Sequence, residues 1–440
     1  MPTLPAADPT ACVLQALMRI LMAGLLLAAA GWGFAQTAPP AEERAQQLFQ
    51  SAKGKVFKIR VVLNATQSQA SVGSGFAVSG DGLVVTNFHV ISSVLDRPEQ
   101  YRIEYVAHDG RSGPLRLINV DVVHDLALLR TAEPTPFFEL MTRGMSRGER
   151  GFSIGNPHDL GLTIVEGTYN GLITESLYEH ILFTGAINPG MSGGPAITRE
   201  GTVFGVNVAR LVDAQLVSFL VPARFVQRLI EASRDEAAEP AALLALARDQ
   251  LIAAQDDYLG ALLAGNIART GLGGYQVPDR LGPFMRCWGR SEDEPGRPYR
   301  GSAQNCSSEN SIFVFEDVRT GSIDFEHVLL ERRDMNWLRF YNLLSARFAA
   351  GATGLPGGRE DFTSFRCMTE FVTNRGLPLR VVLCARAYKR LEGLYDFWMR
   401  AASIDSYDRG LLTTLSLTGV SFDNGTRFVR RYLETMEVRP

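Results

Sequence analysis

Net charge is almost absent from this sequence: 44 Lys and Arg stand against 47 Asp and Glu in 440 residues, a formal balance of −3. That excludes the basic footprint by which nucleic-acid binders neutralise phosphates. No long run of one charge sign points to a polyanionic or membrane-surface partner. Cysteine is sparse, with Cys12, Cys287, Cys306, Cys367 and Cys384 and no CxxC pair, so a zinc centre lacks its usual ligand spacing. No metal and no organic cofactor is implied. The apolar run Ile20–Ala30 falls short of the roughly 20 residues a membrane-spanning helix requires. No internal repeat and no strand–helix alternation is visible, which argues against a doubly wound sheet. What the chain does have is 46% apolar and 21% charged residues, a composition that argues against wholesale disorder. Its length suits two or three domains of roughly 100–200 residues each.

The N-terminus reads as an export signal over residues 1–35. Met18–Arg19 precedes the apolar run, and small residues at Gly33 and Ala35 place cleavage after Ala35. The stretch ahead of Met18 is long for such a signal, which makes Met18 a second candidate start. A membrane association would come only through an uncleaved signal. Export implies a periplasmic or secreted protein and an oxidising compartment. Of the three pairings open to the four remaining cysteines, the expected one is sequential, Cys287–Cys306 and Cys367–Cys384.

Residues 36–54 read as a Pro/Ala linker and a short helix. From residue 55 to 235, about a dozen short β-type runs alternate with Gly, Pro and Asp/Asn turns, from Val56–Leu63 to Val217–Pro222, the signature of an all-β sandwich or pair of barrels. Two short helices interrupt them, Val90–Leu95 and Arg224–Ser233. Residues 236–266 form a helical connector: Pro240 can open a helix, and leucines recur at helical period to Ala264. Residues 267–440, with all four later cysteines, read as an α+β domain with strands at Ser311–Phe315 and Leu379–Cys384. Helices are expected near Met335–Ala349 and Ala387–Ala402. This last region carries no motif that translates into chemistry.

The motif that does is Ile187–Asn188–Pro189–Gly190–Met191–Ser192–Gly193–Gly194–Pro195. Glycines around a serine permit φ > 0 and bring backbone N–H groups close to a reacting carbonyl. By itself such a run could be a tight turn. Upstream, however, Thr86–Asn87–Phe88–His89–Val90 and Asp125–Leu126–Ala127–Leu128–Leu129 supply a histidine and an aspartate, in the chain order His, Asp, Ser. A lone histidine could be structural. Asp121 competes with Asp125, but Asp125 directly precedes a buried-strand run, whereas Asp121 reads as a solvated turn residue. His158 reads as a surface loop residue. Gly73–Ser74–Gly75 lacks the lysine and helix of a phosphate loop.

Together with Gly73–Ser74–Gly75–Phe76 and Gly155–Asn156–Pro157, these motifs resemble the HtrA/Deg group of trypsin-like serine proteases over about residues 55–228. The resemblance implies an all-β double six-stranded barrel with the active site between the barrels. It makes Ser192 the nucleophile, His89 the general base and then acid, and Asp125 the residue that orients the imidazole. The N–H groups of Gly190 and Ser192 would form the oxyanion hole. Two features depart from the family. Met191 stands where digestive enzymes carry Asp, so no activation salt bridge to a new N-terminus is expected. No PDZ-like pattern follows Pro240.

Ala186, six residues before the serine, replaces the carboxylate that would pair a basic P1 side chain, which would therefore be desolvated without a partner. Small or medium apolar P1 residues are expected, with Asn207–Val208–Ala209 pairing the substrate as a β-strand. The expected activity is that of an exported serine endopeptidase acting on unfolded or extended proteins. Two other readings stand beside it: a catalytically silent trypsin-fold module that binds peptides, and a C-terminal domain that recognises a partner for the protease domain. The sequence does not define an oligomeric state.

Overall fold

The computed structural model describes residues 41–439 except 174, 211–215, 234–237, 309–310, 351–354 and 405–406. The expected export signal lies outside the described residues. A helix, α1 (Ala41–Ala52), leads into two closed antiparallel barrels. The first is built from β1 (Val56–Leu63), β2 (Ser68–Ala77), β3 (Leu83–Thr86), β4 (Tyr101–Val106), β5 (Ser112–Asp121) and β6 (Leu126–Arg130). Its order is β1-β2-β3-β6-β5-β4, closed by the β1–β4 pairing. The second barrel comprises β7 (Arg150–Gly155), β8 (Thr163–Leu172), β9 (Ile181–Phe183), β10 (Pro195–Ile197), β11 (Val203–Arg210) and β12 (Ser218–Pro222). It runs β10-β11-β12-β9-β8-β7 and closes through β10–β7. The double barrel expected from the family resemblance is therefore present, and closure removes the exposed edges that so many short strands would otherwise leave.

Two helices interrupt the barrels. Helix α2 (Phe88–Asp96) follows β3 directly and buries Phe88, Val90, Ile91 and Leu95. Each such side chain contributes about 1.5–3 kcal/mol when fully buried. His89 lies in the first turn of this helix, which begins two residues ahead of the expected Val90–Leu95. Helix α3 (Ala223–Glu231) follows β12 directly and buries Ala223, Phe225, Val226 and Leu229.

Helix α4 (Pro240–Ala264) is 25 residues long, and Leu243, Ala247, Leu251, Gln255 and Leu259 form its buried stripe at a spacing of four. The first three join the apolar cluster of the first barrel, and Leu259 joins the cluster of the domain that follows. Gln250 pins the junction: its Oε1 accepts from Val122 N (2.9 Å) and its Nε2 donates to Val120 O (2.8 Å).

The C-terminal region is centred on a seven-stranded antiparallel sheet. Its strands are β15 (Arg286–Glu292), β16 (Tyr299–Ser307), β19 (Ile323–Arg332), β20 (Arg366–Asn374), β21 (Leu377–Ala387), β22 (Leu394–Ser403) and β23 (Arg409–Ser421), in the order β15-β16-β19-β23-β22-β21-β20. Helix α6 (Phe422–Glu434) packs with α4 in the cluster on one face, and α5 (Trp337–Ala349) packs in a second cluster around Leu330, Ala402 and Leu412. A small sheet of β13 (Arg269–Leu272), β14 (Tyr275–Pro278) and β24 (Glu437–Val438) and a hairpin of β17 (Ile312–Phe315) and β18 (Val318–Thr320) complete the region.

Both disulfides are present in sequential pairing, and each joins directly opposed residues: Cys287 with Cys306 across β15–β16, and Cys367 with Cys384 across β20–β21. They fasten the two edge strands of the sheet. The helix expected at Ala387–Ala402 is absent. That segment holds the end of β21, a turn and strand β22, which is buried on both faces and so shows no alternation from which a strand could be read.

Among the described residues, no helix is long and apolar enough to cross a membrane, and no group of three or more His, Cys, Asp or Glu is gathered to hold a metal.

Candidate active site

Asp125 is bonded directly to His89, and the Ser192 loop packs against the residues just before His89, where a side chain at Gly193 would meet Thr86 and Asn87. Asp125 sits in the turn before β6 with φ +54°, a left-handed conformation. Its carbonyl accepts from Phe88 N (3.1 Å) and Asn87 Nδ2 (2.8 Å), which ties the turn to the start of α2. Its carboxylate then does two things. Oδ1 accepts from His89 N (2.8 Å), satisfying an open donor at the helix N-terminus, and Oδ2 accepts from His89 Nδ1 (2.6 Å). Asn87, the N-cap, makes no side-chain cap bond of its own. An anion at the positive end of a helix is stabilised there.

With Nδ1 committed as a donor, the neutral imidazole leaves Nε2 as its free base. The side chains of His89 and Asp125 are 30% and 20% exposed. Burial works to lower the His89 pKa, but the charge and hydrogen bond of Asp125 outweigh it. Arg319 also acts to lower it, and the net direction is upward.

The serine loop is fixed amide by amide. Met191 N donates to Asn188 O (3.0 Å), Gly193 N to Asn207 O (2.8 Å) and Gly194 N to Met191 O (3.0 Å). The N–H groups of Gly190 and Ser192 donate to no described group. The Pro189 carbonyl is held by His158 N (2.8 Å). Because the C=O and N–H of a trans peptide point in opposite directions, that bond turns the Gly190 N–H the other way. Gly190 needs its φ of +93° for this, and a side chain there would meet the Asn156 carbonyl.

Ser74 secures the other side of the loop. Its buried hydroxyl donates to Gly190 O (2.7 Å) and accepts from Asn156 N (2.9 Å), while its own N–H donates to Ser192 O (2.8 Å). The hydroxyl of Ser192 donates to Val208 O (3.2 Å) rather than to the imidazole. Val208 is the bulged residue of β11, where pairing with β12 shifts register between Asn207 and Ala209, and the bulge brings its carbonyl to the serine.

Other expected residues fall differently. Asn207 is fully buried, its N–H and C=O are both paired with the serine loop, and its side chain reaches Ile154 O and Met191 O. It shapes the loop and has no group left for a substrate strand. Val208 and Ala209 lie in the second half of β11, and nothing is described of the Ala209 side chain. Ala186 is half-buried ahead of Ile187, on a stretch tied down by Ser218 Oγ on Gly185 O (2.7 Å). Met191 is fully buried in the second barrel's apolar cluster, so no carboxylate occupies that position.

Asp121 is not a free turn residue: it accepts from His124 N (3.1 Å) and His124 Nδ1 (2.7 Å), and His124 stacks on Phe225 at 3.6 Å. This second His–Asp pair is a local i,i+3 clamp. The His158 side chain is exposed as expected; its backbone N–H holds the Pro189 carbonyl. Sequence reasoning passed over Ser74 and the His158 amide, because neither role depends on a distinctive residue type.

Residues 73–206 match the family described as the trypsin-like peptidase domain. HhoB of Synechocystis sp., named as a serine protease, is 31% identical over 178 residues, 38% of this chain and 41% of its own. A Chlamydia trachomatis protein named as a probable periplasmic serine endoprotease, DegP-like, is 32% identical over 175 residues, 38% of this chain and 34% of its own. A crystal structure of Deg5 aligns at 29% identity and TM-score 0.38, covering 43% of this chain and 94% of that one. In sequence, the double barrel is therefore similar to the trypsin-like peptidase domain of proteins named as HtrA/Deg-type serine proteases. The chain spans well under half the length of the curated relatives it matches.

Proposed function

We propose that this protein is a serine endopeptidase that cleaves extended protein substrates with Ser192 as nucleophile, His89 as general base and acid, and Asp125 as the orienting carboxylate. The observation that carries this reading is the pair of unused amides at Gly190 and Ser192, in a loop whose Met191, Gly193 and Gly194 amides are bonded. Two such donors beside a serine stabilise the oxyanion of an acyl-transfer intermediate, and losing one typically costs about 100- to 1,000-fold in rate.

Ser192 must turn from Val208 O toward His89 before it can lose its proton. A substrate backbone N–H that takes the Val208 carbonyl releases the hydroxyl for that turn. Val208 and Ala209, rather than Asn207, are the segment available to pair with substrate. Ala186 leaves no carboxylate at the base of the P1 site, which favours small or medium apolar P1 side chains. The periplasmic naming of relatives and the two disulfides support an exported, periplasmic or secreted enzyme, and a role in protein quality control is what the family resemblance implies.

The Ser192–Val208 hydrogen bond favours a second reading, a silent module that holds peptides without cutting them. A fluorophosphonate probe separates the two. Labelling and casein hydrolysis that vanish in Ser192→Ala are expected; a native protein that neither labels nor cleaves, while still binding peptide, overturns the enzyme reading.

A further inference from the structure

The β17–β18 hairpin of the C-terminal region reaches the proposed catalytic cleft. Phe313 of β17 stands edge-on to the His89 ring at 6.1 Å, and the Arg319 guanidinium of β18 lies over the Phe313 ring at 5.5 Å. Ile312, Val314, Phe315 and Val318 share one buried cluster with Phe88, Ile91 and Leu95 of α2. The hairpin is also pinned by polar contacts. Tyr178 Oη donates to Gly321 O (3.0 Å), and Arg390, which bridges Asp96 at the end of α2 and Asp361, lies over the Phe315 ring at 4.4 Å. Lifting it would open a core, so it is a fixed wall and not a flap.

The hairpin carries three exposed charges, Glu316 and Asp317 at its turn and Arg319 on β18; Arg319 is the one that lies over Phe313, beside His89. Among the described residues no carboxylate pairs with Arg319. It also borders a cavity of about 300 Å³ whose other cation, Arg386, is consumed by Asp396 at 2.8 Å. Asp324, in the same cavity wall, accepts from Ser307 Oγ.

We propose that the β17–β18 hairpin forms one side of the substrate groove and that Arg319 selects substrates with a carboxylate side chain in a position flanking the scissile bond. The planar guanidinium suits bidentate carboxylate recognition, and Phe313 holds it over an apolar face beside His89. This inference rests on the cleft between the barrels being the peptide site. The effect of Arg319 on the charge of His89 is a second sign that the two are close.

The test uses full-length Ser192→Ala protein and fluorescent peptides that differ only by Glu or Gln at each position around an apolar P1 residue. At one position the Glu peptide should bind about fivefold more tightly, the worth of a partly exposed ion pair. That preference should vanish in Ser192→Ala/Arg319→Gln and invert toward Lys in Ser192→Ala/Arg319→Glu. In the enzyme with Ser192 intact, Arg319→Gln should also move the acid limb of kcat/KM upward, because one of the two charges acting on His89, Arg319 and Asp125, has been removed; a merely structural role would leave that limb in place. Equal binding of Glu and Gln peptides at every position, or a preference untouched by Arg319→Gln, overturns the inference even if hydrolysis is normal. Absent hydrolysis with the Glu preference intact overturns the enzyme reading instead.

Discussion

Asp125 holds His89 twice, with one carboxylate oxygen on the backbone N–H at 2.8 Å and the other on the ring Nδ1 at 2.6 Å. The same anion therefore starts helix α2 and sets the imidazole tautomer. Asp125→Asn cannot accept at both atoms while keeping the ring in that tautomer. It is expected to lower kcat by about 10⁴-fold with a far smaller change in KM. Steady-state kinetics on a peptide substrate measures this, and a loss below tenfold would detach Asp125 from the chemistry.

The pH dependence has a definite sign. His89 is useful as a base only when neutral, and its pKa is raised because the charge and hydrogen bond of Asp125 outweigh burial and Arg319. Activity should fall on acidification through a midpoint above the ordinary imidazole value of about 6.5. His180 also feels Asp125, but burial holds its pKa down, so it does not supply this limb. A kcat/KM profile with its acid midpoint below 6 would contradict the assignment.

Ser74→Ala removes the hydroxyl between Gly190 O and Asn156 N. Two buried backbone groups lose their partner, at a cost of about 1–3 kcal/mol each where water cannot replace it. The loop carrying the unused Gly190 amide should loosen. The expected result is a folded protein with a lowered denaturation midpoint and kcat reduced about 10- to 100-fold, part of what loss of an oxyanion donor costs. Unfolding curves and kcat measured on the same sample decide it.

His327, in the C-terminal sheet, supplies a separate pH effect on stability. It is fully buried; its Nε2 must donate to Pro278 O (3.0 Å), and its Nδ1 has no partner among the described residues. Burial pushes its pKa down to about 4. Since the folded value lies below the unfolded value of about 6.5, the neutral ring's contribution is complete above pH 6.5 and is lost as pH falls toward 4, approaching about 3 kcal/mol. Urea unfolding from pH 7.5 to 4.5 should show this slope, and His327→Met should flatten it.

Much of the protease domain was legible because its signals are local. Short strands punctuated by glycine, a helix after β3, and the residues around His89, Asp125 and Ser192 are all read within a few positions of one another. The long helix was equally plain in its leucine spacing. The failures share one cause. Ala387–Ala402 lacks the alternation of a strand because β22, which fills its second half, is buried on both faces by groups that only the tertiary fold brings there. Asp121 and Asn207 looked like a solvated turn and a substrate strand because their partners, His124 and the serine loop, exist only once the chain is folded.

By itself, the sequence determined the barrel strands, the order of the three candidate catalytic side chains and the glycines that allow Gly190 and Gly193 their left-handed backbone. These follow from steric limits and hydrophobic periodicity, which act over a few residues. The tertiary structure decided where the Gly190 amide points, where the Ser192 hydroxyl rests, and that a hairpin more than 200 residues downstream stands beside His89. Those outcomes depend on contacts between segments far apart in the chain, whose energies arise only when a shared core brings them together.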